Sequence, residues 1–519
     1  MVMKEIIKLK TKNLSLLPEA VVTPAYDRTK IKAGIVHIGI GGFHRSHEAY
    51  YADRFLERKG SSDWGICGVA LLDNDRRIFD TLVNQDGLYT LMITEPDGTL
   101  NARVIGSIVE YLFAPANPEA VVEKMADPDI KIITLTITEG GYNFDEATGE
   151  FRITEPSIQW DLNNPENPKT VFGYLTQALK RRRDRGISGL TIQSCDNIQK
   201  NGHVLKKMLL SYIKAAEPEL VSWIEKQVTF PDCMVDRITP VTTLSDIENL
   251  KNVYGIDDAW PVVCEPFIQW VIEDNYSNGR PEWESVGVQF VHDVSPYEKM
   301  KIRLLNAGHS LLGFSGSLYG CNTIDETVRI PLFRSFLREF MDIEVTPVLG
   351  ELEGISIEDY KDSLIQRFGN KNIKDKLSRI CLESSAKIPR FLLPTVKEQL
   401  ERGGEIKRSV VVIAAWCRYL ELSGTKGHDY DIEDKMGDVL HNNAIVGFSK
   451  MSSLASLSQI HSAISKLDSP VIAPNPLNPL KFVFVGKIEL SSVLSSALVI
   501  QGGLPKTKSG PFSFHFKSF

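Results

Sequence analysis

Short β-branched runs that end at a glycine or lead into an amphipathic stretch constrain this chain more than any other feature. They recur through its first half: Gly34-Ile-Val-His-Ile-Gly39, Trp64-Gly-Ile-Cys-Gly-Val-Ala-Leu-Leu72, Lys131-Ile-Ile-Thr-Leu-Thr-Ile137 and Leu190-Thr-Ile-Gln193. A strand with one wet face alternates apolar and polar residues, whereas a strand covered on both faces is apolar almost throughout. These runs are of the second kind, and helical patterns such as 46–59 and 118–125 lie between them. Strand, helix, strand in that order predicts βαβ units and a doubly wound parallel sheet.

The pattern changes near Ser295. From Pro296 onward it is mainly helical, over 297–320, 328–341, 361–368 and 408–422, and strand-like runs become scarce. A chain of 519 residues exceeds what one core of about 250–300 residues can hold. The expected division is a sheet domain over 1–290, a helical domain over 291–444 and a compositionally distinct tail over 445–519. That tail holds 15 Ser, seven Lys, no Arg and only two acids, Asp468 and Glu489, with a Pro/Asn cluster at 473–479. Regular structure is hard to fit there.

Charge and cysteine usage narrow the function classes. The 59 basic and 66 acidic residues give a net charge of −7, so a globally basic nucleic-acid footprint is absent. No apolar run reaches the length of a membrane span, and the apolar start is too short for a signal peptide. The seven cysteines are scattered singly, without a CxxC, as free thiols in a reducing compartment are. A cytoplasmic protein without membrane or nucleic-acid partners is the expectation.

The segment Gly39-Ile-Gly41-Gly-Phe-His44-Arg45 follows a predicted strand and opens a predicted helix. Gly39 permits a tight turn there, and Gly41 lets the backbone approach a pyrophosphate. His44 stands where the third glycine of GxGxxG belongs, so a purely structural turn stays open as the alternative. Gly39, Ile40, Gly41, Gly42, Phe43 and Arg45 are the candidate cofactor-binding residues of a Rossmann-type domain. Asp75, after the second strand, can accept both ribose hydroxyls of NAD and repel the phosphate of NADP. Its distance from Gly39 calls for an inserted loop, and Arg76 and Arg77 beside it leave tolerance for NADP.

A second cluster is Lys301-Ile-Arg-Leu-Leu-Asn306-Ala-Gly-His309. At 100° per residue, Glu298, Lys301, Asn306 and His309 fall within a sector of about 140° on one predicted helix. A desolvated lysine can remove a hydroxyl proton, and an asparagine amide can donate to the alkoxide that develops. Taken alone, such spacing is more often an ordinary helix face. His44 and His47 lack the accompanying ligands of a zinc site, and no GxSxG supports a serine nucleophile; no metal is expected.

Taken together, several segments carry a resemblance. They are His37-Ile-Gly-Ile-Gly-Gly-Phe-His-Arg-Ser-His47, Thr136-Ile-Thr-Glu-Gly-Gly-Tyr142, Ser194-Cys-Asp-Asn197, Met234-Val-Asp-Arg-Ile-Thr-Pro240, Gly255 to Pro266, and Lys301 to His309. On these the chain resembles the mannitol dehydrogenase family, the polyol-specific long-chain dehydrogenases/reductases, from about residue 15 to 443. The resemblance implies zinc-independent, NAD-linked interconversion of D-mannitol and D-fructose in a chain that acts as a monomer. It implies that Lys301 is the general base, that Asn197 and Asn306 form the oxyanion site, and that His309 positions substrate. It also implies polyol-pocket roles for Asp236, Arg379 and Lys387, a proton-passing role for Glu298 and selection of NAD by Asp75. Asn74 stands where the family often has an acid, which weakens exclusion of NADP.

Three rival readings remain. A fructuronate reductase of the same family needs a cation for its substrate carboxylate, which Arg379 or Lys387 can supply. An arabinitol or sorbitol dehydrogenase is not distinguishable from these residues. A catalytically silent NAD-binding protein is the alternative of another class.

Overall fold

In a computed structural model of the chain, the structure describes residues 6–60, 62–145, 148–422, 434 and 436–441. The expected atypical tail over 445–519 lies outside the described residues. Two compact units emerge, and the chain passes between them three times. The first comprises Met1–Lys301 and Leu349–Asp375, and the second comprises Ile302–Val348 and the described residues from Lys376 onward.

The first unit is built on five parallel strands: β1 (Ala33–Ile38), β2 (Gly65–Ala70), β3 (Ile108–Phe113), β4 (Ile132–Leu135) and β5 (Thr191–Ser194). Their order across the sheet is β3-β2-β1-β4-β5, so the strand order reverses between β1 and β4. Alternate β1 residues enter opposite cores. Ile35 packs with Ile66, Ala70 and Phe55, whereas Val36 and Ile38 pack with Val69, Leu135 and Leu175. Both faces are therefore covered, which is why β1 lacks the polar alternation of a half-wet strand. Each buried Val or Ile contributes roughly 1.5–3 kcal/mol.

Four strands form a separate mixed sheet in the order Val262–Cys264, Tyr89–Thr94, Leu100–Ile105, Val21–Val22. Three more, β6 (Cys233–Asp236), β7 (Gln269–Glu273) and β8 (Gln289–Val291), form another in which β6 runs antiparallel to β7. Sequence patterning pointed to neither of these sheets.

Two local expectations are corrected. The helix expected over 46–59 is two helices, α1 (Gly42–Ser46) and α2 (Glu48–Lys59), broken at His47, whose φ of −113° and ψ of −87° are not helical. The helix expected over 297–320 is α3 (Ser295–Lys301), a π-helical stretch over Ile302–Asn306, and α4 (Ala307–Tyr319). A π-turn closes i→i+5 hydrogen bonds, so the 140° sector drawn on a uniform α-helix does not describe this segment. Segment 349–375, with α5 (Ile357–Phe368), folds with the first unit, so the two units are not each continuous in sequence. Polar anchors hold it there: Asn370 and Asn372 side chains donate to the carbonyls of Thr94 and Glu95, each at 3.0 Å, and Tyr297 donates to Glu353 O at 2.8 Å.

The second unit is helical among its described residues. In it α4 packs against α6 (Leu377–Cys381), α7 (Ser384–Phe391) and α8 (Lys407–Leu422). Gly313 and Gly316 let α6 approach closely, because a β-carbon at either position would meet Ile380 at 2.9 Å or Leu377 at 2.9 Å.

Candidate active site

The glycine loop leaves the C-terminal end of β1, beside the point where strand order reverses. Parallel α/β sheets open a crevice at such a switch point. Gly39 has φ +105°, and a β-carbon there would lie 2.3 Å from the Thr136 carbonyl. Only glycine holds that conformation without strain. Gly41 has an ordinary φ of −69°, and no atom lies within 4 Å of where its β-carbon would be. The loop thus leaves open space at the position where a nucleotide phosphate approaches backbone, and these residues fit a dinucleotide.

Arg45 departs from expectation. It is fully buried; its Nε donates to Ile40 O at 3.1 Å, and another guanidinium nitrogen donates to Trp260 O at 2.7 Å. Its guanidinium also lies 5.0 Å from the centre of the Tyr89 ring. Arg45 therefore holds the loop from the protein side. Ser46, Thr239 and Arg237 add to this support: the two hydroxyls lie 2.7 Å apart, and Arg237 donates to Ser46 O at 2.6 Å.

Asp75 sits in a one-turn 3₁₀ helix after β2, and its Oδ2 accepts the Leu72 N–H at 3.0 Å. Part of its carboxylate thus caps the turn. Asp73, exposed at the start of the same turn, is a further acid at this strand end.

Lys301 ends α3. Its Nζ donates to Asn197 Oδ1 and to the Val235 carbonyl, both at 2.5 Å, and the side chain is buried. A neutral amine has two N–H bonds, and these acceptors take both, leaving the lone pair for an incoming proton. Burial pushes the Lys301 pKa down, opposed by the nearby Asp236 and assisted by Arg367. Asn197 receives the lysine through its carbonyl oxygen, so its NH₂ group remains a donor on an exposed residue.

The position of Asn197 follows from Asp196 before it. The Asp196 carboxylate accepts Ile137 N–H (3.0 Å), Thr138 N–H (2.9 Å) and Tyr142 O–H (2.7 Å). It thereby ties the end of β5 to the turn after β4, where Thr138 adopts φ +60°. Backbone strain of that kind costs about 1–3 kcal/mol and needs such over-determination. The Thr136–Tyr142 and Ser194–Asn197 motifs are thus two halves of one device.

Glu298, one turn before Lys301, is buried and accepts the Lys200 N–H at 3.1 Å. Burial, with Asp232 nearby, pushes its pKa up to about 7. Asp236, on β6, is bound from segment 349–375. Arg367 donates to both its oxygens (2.7 and 3.0 Å), and Tyr360 O–H donates at 3.0 Å. Arg367 also grips Glu265 through two hydrogen bonds of 2.8 and 2.9 Å. Burial raises the Asp236 pKa, but Arg367 outweighs this and holds it below the usual carboxylate range. Arg367, Tyr360 and Glu265 were not singled out from sequence. Glu265 lies in the Gly255–Pro266 segment, but no pattern marked the other two.

The first unit therefore brings Lys301, Asn197, Asp236 and Glu298 together. The remaining expected residues belong to the second unit: Asn306 ends the π-turn, His309 lies on α4, exposed Arg379 on α6, and Lys387 on α7 donates to Ile380 O at 3.0 Å.

Among the described residues, His37, His44 and Glu48 form the group with metal-ligand chemistry. Glu48 Oε2 lies 2.8 Å from His37 Nδ1 and 3.2 Å from His44 Nδ1, and the two imidazoles stack at 3.4 Å. Thr134 donates to the same carboxylate, and His37 Nε2 meets Thr136 Oγ1 at 2.8 Å. These donors are largely spent on one another beneath the glycine loop. Burial pushes the His44 pKa down to about 4, which keeps that ring neutral.

Comparison with known proteins identifies the family. The Mannitol dehydrogenase Rossmann domain model matches residues 33–285, and the Mannitol dehydrogenase C-terminal domain model matches residues 293–471. That second match runs past residue 443, where the likeness read from sequence stops. A mannitol 2-dehydrogenase of Phaeosphaeria nodorum is 46% identical over 442 residues, covering 85% of this chain and 78% of the relative. The solved ternary complex of Pseudomonas fluorescens mannitol 2-dehydrogenase with NAD and D-mannitol is 46% identical, with TM-score 0.77, covering 84% of this chain and 89% of that one. A solved D-sorbitol dehydrogenase in substrate-free form is 39% identical, with TM-score 0.79, covering 88% and 96%. The chain belongs to the mannitol dehydrogenase family.

Proposed function

We propose that this chain is an NAD-dependent mannitol 2-dehydrogenase that oxidises D-mannitol at C2 to D-fructose and runs the reverse reduction, without zinc. The observation that carries the reading is the Lys301 amine, buried and with both N–H bonds of its neutral form engaged. When bound, the dinucleotide supplies the ring carbon that accepts hydride from C2. Lys301 Nζ takes the C2 hydroxyl proton as the hydride departs, so one carbon–hydrogen and one oxygen–hydrogen bond break and the carbonyl forms. The Asn197 NH₂ donates to the oxygen as its negative charge grows; removing such a donor costs roughly 10²–10³ in rate. Glu298, with its pKa raised to about 7, can accept the proton that Lys301 must shed before the next turnover.

Family resemblance supports Asn306 as a second amide donor, His309 as a substrate-positioning group, and Arg379 and Lys387 as polyol-pocket residues. It also supports action as a monomer. The glycine loop supports dinucleotide binding through the open space at Gly41. Asp75, with Asp73, supports NAD over NADP. A second reading, oxidation of D-sorbitol, is favoured by the likeness to the D-sorbitol dehydrogenase structure.

One assay separates these readings. NADH formation is followed with mannitol, sorbitol, arabinitol and mannonate, each with NAD and with NADP. Mannitol with NAD should give the highest kcat/KM. Lys301→Ala should abolish turnover while retaining NADH binding; an active alanine variant with an unchanged pH profile would remove the lysine from its role.

A further inference from the structure

Arg367 reaches the catalytic neighbourhood from a segment far away in sequence, and its guanidinium is fully engaged on arrival. It binds both Asp236 oxygens and both Glu265 oxygens, and it lies 4.0 Å from the centre of the Phe267 ring. Glu265 is held from its other side by the Ile238 N–H at 2.6 Å, and its main-chain carbonyl accepts two bonds from Arg237. Arg237 in turn holds Ser46 O below the glycine loop. The array therefore runs from the loop to the strand that carries Val235 and Asp236, on which Lys301 rests. All four charged members, Arg237, Arg367, Asp236 and Glu265, are buried, where charge interactions are weakly screened.

An anion near a base works against it, because it stabilises the protonated amine. Asp236 is such an anion for Lys301. The other groups acting on the amine include the Arg367 cation, the Glu298 carboxyl, the Cys233 thiol and the His47 ring, which burial keeps neutral. Glu298 is kept partly protonated near neutrality by burial, and Cys233 donates its hydrogen to Ser194 O at 3.0 Å. Around Arg367 itself stand Asp236, Glu265 and the Tyr360 hydroxyl. Of these, Arg367 is the cation placed to offset Asp236.

We propose that Arg367 is a positioning residue for catalysis: its fixed positive charge cancels that of Asp236 and so keeps the Lys301 amine available as a base. This rests on the reading of Lys301 as the general base. Burial and Arg367 both push the lysine pKa down, while Asp236 pulls it up. The array thus sets the pH at which oxidation begins.

The test is the pH dependence of kcat/KM for mannitol oxidation with NAD, with NADH binding measured on every variant. Arg367→Gln removes the charge. Because that substitution strands two buried carboxylates, the double variant Arg367→Gln/Glu265→Gln removes the charge without that repulsion. Arg367→Lys retains it. A nearby charge in a buried setting moves a pKa by roughly 1–3 units. In both charge-removing variants the ascending limb should move up by at least about one unit, with activity recovering at high pH, while Arg367→Lys keeps the wild-type limb. A purely structural role would lower activity equally at every pH.

An unmoved limb in either charge-removing variant that still binds NADH overturns the proposal. So does loss of NADH binding in both of them while Arg367→Lys stays intact, because the cation would then serve the fold. A Lys301→Ala variant that keeps full activity instead defeats the general-base reading, which separates the two failures.

Discussion

Gly39 and Gly41 are two residues apart in one loop, yet alanine should act on them through different physics. At Gly41 the backbone is already in a region that any residue adopts, and the added methyl meets nothing in the protein. Gly41→Ala should therefore melt at or slightly above wild type, since losing glycine's freedom in the unfolded chain stabilises by about 0.4–1 kcal/mol. Its methyl, however, projects into the space a dinucleotide phosphate needs. Overpacking costs about 1–3 kcal/mol, and 1.4 kcal/mol is tenfold, so the Kd for NADH should rise roughly 5- to 150-fold. At Gly39, φ +105° and the Thr136 carbonyl at 2.3 Å combine backbone strain with a clash against main chain. Gly39→Ala should lose about 2–5 kcal/mol of stability. Isothermal titration with NADH and thermal melting of the two variants make the comparison. Wild-type NADH affinity in Gly41→Ala would refute the assignment of the open space to the cofactor.

Further outcomes follow from the same geometry. Asn197→Ala should lower kcat about 10²–10³-fold with little change in NADH affinity, read from steady-state kinetics and titration. Asp196→Ala strands the two backbone donors of Ile137 and Thr138, while the Tyr142 hydroxyl keeps Ser194 Oγ as a partner; at about 1–3 kcal/mol each, denaturant unfolding should show a loss of roughly 2–6 kcal/mol, with Asp196→Asn milder. Glu298 has a folded pKa raised to about 7 from an ordinary 4.5, so the folded state holds a proton that the unfolded state releases. Its cost to stability is absent below about pH 4.5, grows as pH rises and is complete above about 7. At 1.36 kcal/mol per pH unit this is about 3 kcal/mol, so Glu298→Gln should be the more stable protein at pH 8 and equal to wild type at pH 4. Arg103 pairs with the fully buried Asp53 at 2.7 Å; Arg103→Ala should cost about 3–5 kcal/mol by leaving that charge alone.

Local chemistry accounts for what the sequence determined unaided. β1, β2, β4 and β5 were legible because a strand buried on both faces must be apolar throughout. The glycine loop was legible because left-handed backbone at Gly39 leaves no alternative to glycine. The Lys301 cluster was recognisable only through the company of other motifs, since a lysine and an asparagine on a helix are commonplace. Tertiary structure decided what depends on partners distant along the chain. Arg367 meets Asp236 and Glu265 across more than a hundred residues, and no periodicity encodes an ion pair of that kind. The break at His47 and the π-turn after Lys301 were invisible for a related reason: helix patterns report which face is apolar, not where packing and polar anchors interrupt the winding. Sequence alone thus named the amine, while its acceptors, its burial and the charges that set its basicity exist only once the chain has folded.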